Sequence, residues 1–145
     1  MKNVGPRANV LKASEKLRSS LEAAGSKQQY PFAHVLFRED GENAGVFLVC
    51  KGRVRMSVKN LPKLNREFGA GSLLGLPSSF TGRPYSLTAL TLAESEIVHV
   101  AREQFLELMR SQPDLCREAT DMLGREVTFI QSALAQRRRQ LAAVI

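Results

Sequence analysis

The chain has no tryptophan, only two cysteines, two histidines and two tyrosines among its 145 residues, and each scarcity removes a class of chemistry. Cys50 and Cys116 stand alone without CxxC spacing, which argues against zinc, an iron–sulfur cluster or a disulfide framework and leaves them as small apolar packers. His34 and His99 have no neighbour at metal-ligand or triad spacing and read as satisfied, partly buried histidines. No carboxylate dyad, Ser-His-Asp set or P-loop is visible, so no catalytic residue is named, no metal or cofactor is called for, and the chain is not expected to be an enzyme. No stretch approaches the roughly 20 apolar residues of a membrane span, and the N-terminus lacks the apolar core of a signal peptide. A cytoplasmic protein with no membrane partner is the expectation.

What is present is enough for a core. With 43% hydrophobic residues and no low-complexity tract, the length suits one domain with a modest extra element. The net charge of +7 would favour anionic partners if it were gathered on one face, but it is spread as +4 over residues 1–27, +2 over 28–112 and +1 over 113–145. The one dense run, Arg137-Arg138-Arg139, suits a helix C-terminus, where the dipole favours cations.

The period of the hydrophobic residues changes along the chain. Residues 8–24 place Val10, Leu17, Leu21 and Ala24 on one helical face, with Gly25 as the stop. From Tyr30, short runs rich in Val, Leu and Phe are divided by Gly, Asn and Asp: His34–Phe37, Val46–Cys50, Arg53–Val58, Asn65–Phe68, Ser86–Leu92 and Glu96–Val100. Lys51-Gly52 between the second and third of these reads as a hairpin turn. About seven short strands with regular turns indicate a mainly β fold, a sandwich or jelly-roll barrel. Helical period returns over Ala101–Met109, and Pro113 suits the first turn of a further helix.

Phe68–Ala89, reading FGAGSLLGLPSSFTGRPYSLTA, sits between strands and is the candidate ligand cradle. Its glycines let a ligand approach the main chain, and free N–H groups at the start of its short helix-like turn suit an anion such as a phosphate. The alternative is a connection that uses its glycines only for turning. From Leu115 one helix runs toward the C-terminus, and Thr120, Leu123, Val127, Ile130, Leu134, Arg137, Leu141 and Val144 form a heptad seam with one charged exception. The seam either docks on the barrel or pairs with a second copy, and the polar residues on its other side favour pairing.

Taken in order, LFRED…GVFLVCKGRVRMSV, FGAGSLLGLPSSFTGRPYSLTAL and AESEIVHVAREQFLELMRSQPDL resemble the cyclic nucleotide-binding domain of the catabolite activator and FNR-like (Crp/Fnr) regulators over residues 30–145. The resemblance implies a double-stranded β-helix with flanking helices, divided into an N-terminal helical segment (1–29), a β-roll sensor (30–112) with its phosphate-binding cassette at 69–89, and a C-terminal dimerisation helix (113–145). It implies a homodimer through Leu123, Val127, Ile130, Leu134 and Leu141. Gly75 and Ser86 match the family's cassette, but Leu76 stands where the family has a glutamate for the ribose hydroxyl and Tyr85 where it has an arginine for the cyclic phosphate. Cyclic nucleotide binding is therefore expected to be altered or lost. One expectation is a small anionic or nucleotide-like ligand held by Gly75, Leu76, Arg83, Tyr85 and Ser86, with Arg83 standing in for the missing cation. The other is a structural interaction module whose cradle is filled by Leu73, Leu74, Leu76 and Tyr85.

Relatives of this family that sense haem need an axial His or Cys, for which Cys50, His99 and Cys116 qualify by residue type only. A cupin-type metalloenzyme shares the jelly-roll architecture, but its His-x-His cluster is absent. The family's regulators continue into a helix-turn-helix domain, whereas this sequence stops at Ile145, so no direct DNA binding is expected from it; the further alternative is that it is the sensor part of a truncated DNA-binding regulator.

Overall fold

The fold was obtained as a computed structural model, which describes residues 11–144. Among the described residues, eight strands form two four-stranded antiparallel sheets flanked by four α-helices. One sheet has the order β1-β8-β3-β6, from β1 (Ser26–Tyr30), β8 (Ser95–Val100), β3 (Val46–Lys51) and β6 (Leu73–Leu74). The other has the order β2-β7-β4-β5, from β2 (Val35–Phe37), β7 (Thr88–Thr91), β4 (Val54–Ser57) and β5 (Arg66–Phe68). This is the jelly roll expected from the strand spacing.

The strand sequences explain the layering. In β4, Val54 and Met56 are buried while Arg55 is exposed, the alternation of a strand with one face in a core. Val46 to Val49 are buried without a break, the continuous apolar run of a strand with both faces shielded from water. Helix α1 (Glu15–Ala24) packs on β8 and on α3 (Arg102–Ser111), burying Leu17 and Leu21.

Three sequence expectations are corrected. The helix predicted over 8–24 begins at Glu15, where Ser14 caps it by accepting the N–H of Leu17 at 3.1 Å; Val10 lies outside the described residues. Before that cap the chain is extended: Ala13 N–H donates to Gly71 O and Leu73 N–H to Leu11 O, each at 2.8 Å. The strands start at Ser26 rather than Tyr30, since Ser26 already pairs with His99. Lys51-Gly52 is not a hairpin. It carries the chain from one sheet to the other, because β3 pairs with β8 and β6 whereas β4 pairs with β7 and β5. Gly52 has φ +103, and a Cβ there would lie 2.2 Å from Ser95 Oγ, so the crossover requires glycine.

Helix α4 (Pro113–Val144) begins at the predicted proline and, at about 1.5 Å per residue, is about 48 Å long. Its first turns grip α1: Glu118 accepts from the Ser14 N–H at 2.7 Å and the Ser14 hydroxyl at 2.6 Å, and Lys16 pairs with Asp114. A carboxylate over the α1 N-terminus is favoured by the helix dipole.

Candidate functional site

The cradle is built around helix α2 (Leu76–Thr81), which Gly75 opens with φ +94 and ψ 14. A Cβ at Gly75 would stand 2.9 Å from Gly45 O, so the left-handed turn and the close approach both demand glycine. Pro77 occupies the first turn, where its missing N–H breaks no helical bond but removes one donor an anion would use. The far end of α2 is tied down: Asn43 Nδ2 donates to the carbonyls of Ser78 (2.5 Å) and Arg83 (3.2 Å), and Arg102 Nε donates to Ser79 O (2.9 Å).

Two side chains fill the space above this turn. Leu76 is fully buried, and Tyr85 is 2% exposed. The Tyr85 ring stacks on Phe37 with centroids 4.1 Å apart, and its hydroxyl donates to Gly45 O at 2.7 Å while accepting the Ala44 N–H at 2.9 Å. Burial raises the Tyr85 pKa above its ordinary value, and the bonds with Ala44 and Gly45 partly offset this, so the phenol stays neutral at physiological pH. The cavity left beside Gly75 is about 10 Å³, lined by Leu76, Tyr85, Phe37, Met56 and Leu11 among others. That is room for about one water molecule, against roughly 300–1,000 Å³ for pockets that enclose small ligands.

The five cradle residues named from sequence do not all converge. Gly75, Leu76, Tyr85 and Ser86 line the cavity, with Ser86 itself exposed. Arg83 does not; it is an exposed turn residue whose backbone N–H donates to Thr81 Oγ1 at 3.2 Å. Cys50, His99 and Cys116 do not line the cavity either. His99 stacks on Phe47 at 4.8 Å and bonds the Ala44 carbonyl, Cys50 lies on β3 with its thiol pushed up chiefly by burial, and Cys116 sits in the first turns of α4. Among the described residues, no group of three His, Cys, Asp or Glu side chains could hold a metal, and no helix is long and apolar enough to cross a membrane.

Sequence reasoning missed a buried ion pair. Arg66 on β5 and Glu126 on α4 are 6% and 1% exposed, and the guanidinium donates in a bidentate fork, NH1 to Oε1 at 2.7 Å and NH2 to Oε2 at 2.8 Å. The Arg66 guanidinium also lies 4.2 Å from the centroid of the Phe129 ring and 5.2 Å from that of Phe68. Glu126 lines the cradle cavity, so the pair joins the barrel to α4 beside the filled site. One signal was available: Arg66 and Phe68 are two apart on a strand, so the arginine shares the buried face of the phenylalanine.

Along α4 the residues turned to the body are Leu115, Ala119, Met122 and Glu126, all buried. The predicted seam lies one residue further round: Leu123, Ile130 and Leu134 are half-buried, and Val127 and Leu141 are 36% and 51% exposed. The side chain of Val144 lies outside the described residues.

Comparison with known proteins gives a consistent result. The profile of the cyclic nucleotide-binding domain matches residues 27–112. No curated protein matches the chain significantly. Among solved structures, the catabolite activator protein of Thermus thermophilus superposes with a TM-score of 0.72 at 21% identity, covering 85% of this chain and 59% of that one. Oxidised CprK in complex with o-chlorophenolacetic acid gives 0.69 at 14% identity, over 90% of this chain and 55% of that one. The c-di-GMP-responsive global regulator CLP of Xanthomonas campestris gives 0.66 at 17%, over 87% and 64%. At these identities the likeness is one of fold, and the chain spans less than two thirds of each of these structures.

Proposed function

The chain belongs to the cyclic nucleotide-binding domain family, and we propose that within it this domain is a regulatory module of the Crp/Fnr type that works without a nucleotide, its cradle filled from within and its output carried by pairing of α4. The observation that carries this reading is the occupation of the cradle by Leu76 and Tyr85, which leaves about 10 Å³ beside Gly75.

The energetics point the same way. A cyclic phosphate without its guanidinium forfeits a charge-assisted bond of roughly 1.5–3 kcal/mol, and the ribose hydroxyl without a carboxylate loses about as much, together two to four decades of affinity at about 1.4 kcal/mol per decade. Tyr85 would also have to leave its stack on Phe37 and its two hydroxyl bonds. Arg83, exposed and outside the cavity lining, is poorly placed to replace the missing cation, which counts against an altered small anionic ligand.

Pairing rests on α4. Leu123, Val127, Ile130, Leu134 and Leu141 run along a face that the barrel does not cover fully, and a 3-4 alternation of this kind is the spacing of a two-helix seam. A second copy supplies that partner in a symmetric dimer. The buried Arg66–Glu126 pair then fixes the angle at which α4 leaves the barrel without help from a ligand.

Calorimetry and thermal shift with cyclic AMP and cyclic GMP test the closed cradle. A ligand at about 100 times its Kd stabilises by about 2.7 kcal/mol, a shift of several degrees, so the expected result is no heat and no shift. Micromolar binding of either nucleotide overturns the reading. Light scattering tests the pairing separately: a dimer is expected, and a monomer at micromolar concentration removes that half of the proposal.

A further inference from the structure

Helix α4 runs for 32 residues with a single glycine, Gly124. After proline, glycine is the least favourable residue in a helix interior, because it loses the most backbone freedom on folding. Nothing among the described residues requires it here. Gly124 is exposed, its backbone is helical rather than left-handed, and a Cβ added to it would meet nothing within 4 Å. At Gly45, Gly52 and Gly75, by contrast, φ is positive and an added Cβ would run into the chain's own atoms. The position on α4 supplies a reason. At about 3.6 residues per turn, Gly124 lies roughly opposite the buried stripe of Leu115, Ala119, Met122 and Glu126, and one turn from both Thr120 and Val127 of the seam. In the heptad, Ala119, Glu126 and Ala133 flank the seam on the barrel side, and Gly124, Gln131 and Arg138 flank it on the far side. Two-helix seams usually carry long charged side chains at such flanks, and here the far flank opens on a glycine.

We propose that Gly124 is the notch where α4 of one copy lies against the body of its partner, in a parallel pair. This contact rests on the pairing of α4 proposed above and gives the pair an orientation. In a parallel two-helix seam the far flank of one helix faces the barrel-side flank of the other, and Gly124 comes level with Ala119. Ala119 and Glu126 are buried by their own body, so that flank offers no free side chain and the partner's helix meets packed protein instead. A short residue allows the approach, since the distance between packed helices follows the side chains at the contact. An antiparallel pair would set the two far flanks together and leave each Gly124 clear of the partner's body. A longer side chain at 124 suits the single helix but holds two copies apart, so its effects on helix content and on pairing should have opposite signs.

The dissociation constant of the pair is measured by analytical ultracentrifugation over a concentration series of the full chain, beside Gly124→Gln, Ser132→Gln and Val127→Glu. Glutamine is a good helix former, and Ser132 is exposed on the face of α4 turned away from the seam. Gly124→Gln should weaken pairing about tenfold or more with helix content unchanged or raised, while Ser132→Gln changes it by about twofold or less. Circular dichroism establishes that the variants fold, and Gly124→Lys replaces Gly124→Gln should it not. Pairing that Gly124→Gln leaves unchanged or tightens overturns the contact and leaves the pairing of α4 standing. So does an equal loss from Ser132→Gln. A dimer that survives Val127→Glu does not use the seam, and removes the pairing and the contact together, as does a monomeric wild type. Orientation is read from pyrene attached through Leu141→Cys in a Cys50→Ser/Cys116→Ser background. Excimer fluorescence is expected, because a parallel pair brings the two helix ends together, and a dimer without it overturns the contact alone.

Discussion

Two neighbouring parts of the molecule treat buried polarity in opposite ways. In the cradle, where the family resemblance calls for a glutamate and an arginine, the chain has Leu76 and Tyr85, and the Tyr85 hydroxyl is satisfied by Gly45 and Ala44. At the junction with α4, where an amphipathic helix would present only apolar groups, the chain buries Glu126 and meets it with Arg66. Both regions border the same small cavity. The Tyr85 hydroxyl and the Glu126 carboxylate are met by the chain's own atoms, while Arg66 Nε and the Ser79 hydroxyl are buried without a hydrogen-bond partner.

The largest effect expected from this contrast is at the junction. Glu126→Ala or Arg66→Ala leaves a buried charge uncompensated and should cost about 3–5 kcal/mol in urea unfolding, while the double variant Arg66→Met/Glu126→Leu should return close to the wild-type value. A double variant as unstable as the singles would break the comparison, because the pair would then do more than cancel itself. Next comes Tyr85→Phe, which strands the Gly45 carbonyl and the Ala44 N–H and should cost about 1–3 kcal/mol by the same measurement. A loss under about 0.5 kcal/mol would mean that water satisfies those groups and the cradle is wetter than its geometry implies.

The smallest effect is alkaline. The pKa of Tyr85 is raised by burial above 10.0, and that of half-buried Tyr30 likewise. The folded chain therefore keeps protons that the unfolded chain releases near 10, and stability should fall as pH rises from about 10 through the folded values. Tyrosinate absorbance followed against pH, with Tyr85→Phe for assignment, checks this, and normal titration of Tyr85 would contradict its burial.

How much of this was legible in the sequence depended on whether the deciding feature was local. The strands of Val46–Lys51 and Val54–Ser57, the helix start at Pro113 and the glycine opening α2 were all readable, because period and turn chemistry act within a few residues. Leu76 and Tyr85 were readable as cradle residues through the resemblance. The turn at Lys51-Gly52 was misread because its sequence fits a hairpin equally well, and the partners that decide otherwise, β8 and β7, lie some forty residues on. Glu126 was invisible for a related reason. A search for apolar residues at steps of three and four finds Leu123, Val127 and Ile130, and passes over the docked stripe one residue earlier because a carboxylate ends it. Only Arg66, sixty residues away in the chain, makes that position tolerable.

The crossover at Gly52 also bears on how the chain acquires its structure. Since β3 and β4 do not pair with each other, neither sheet can start as a local hairpin there, and Ser26 waits for His99, Val35 for Leu90 and Val46 for Val100. Topologies dominated by such distant pairings fold on the scale of milliseconds to seconds. During synthesis, at about 5–20 residues per second, β1, β2 and β3 emerge several seconds before β8 exists to join them. In that interval the apolar run of β3 is the segment a chaperone would have to shield.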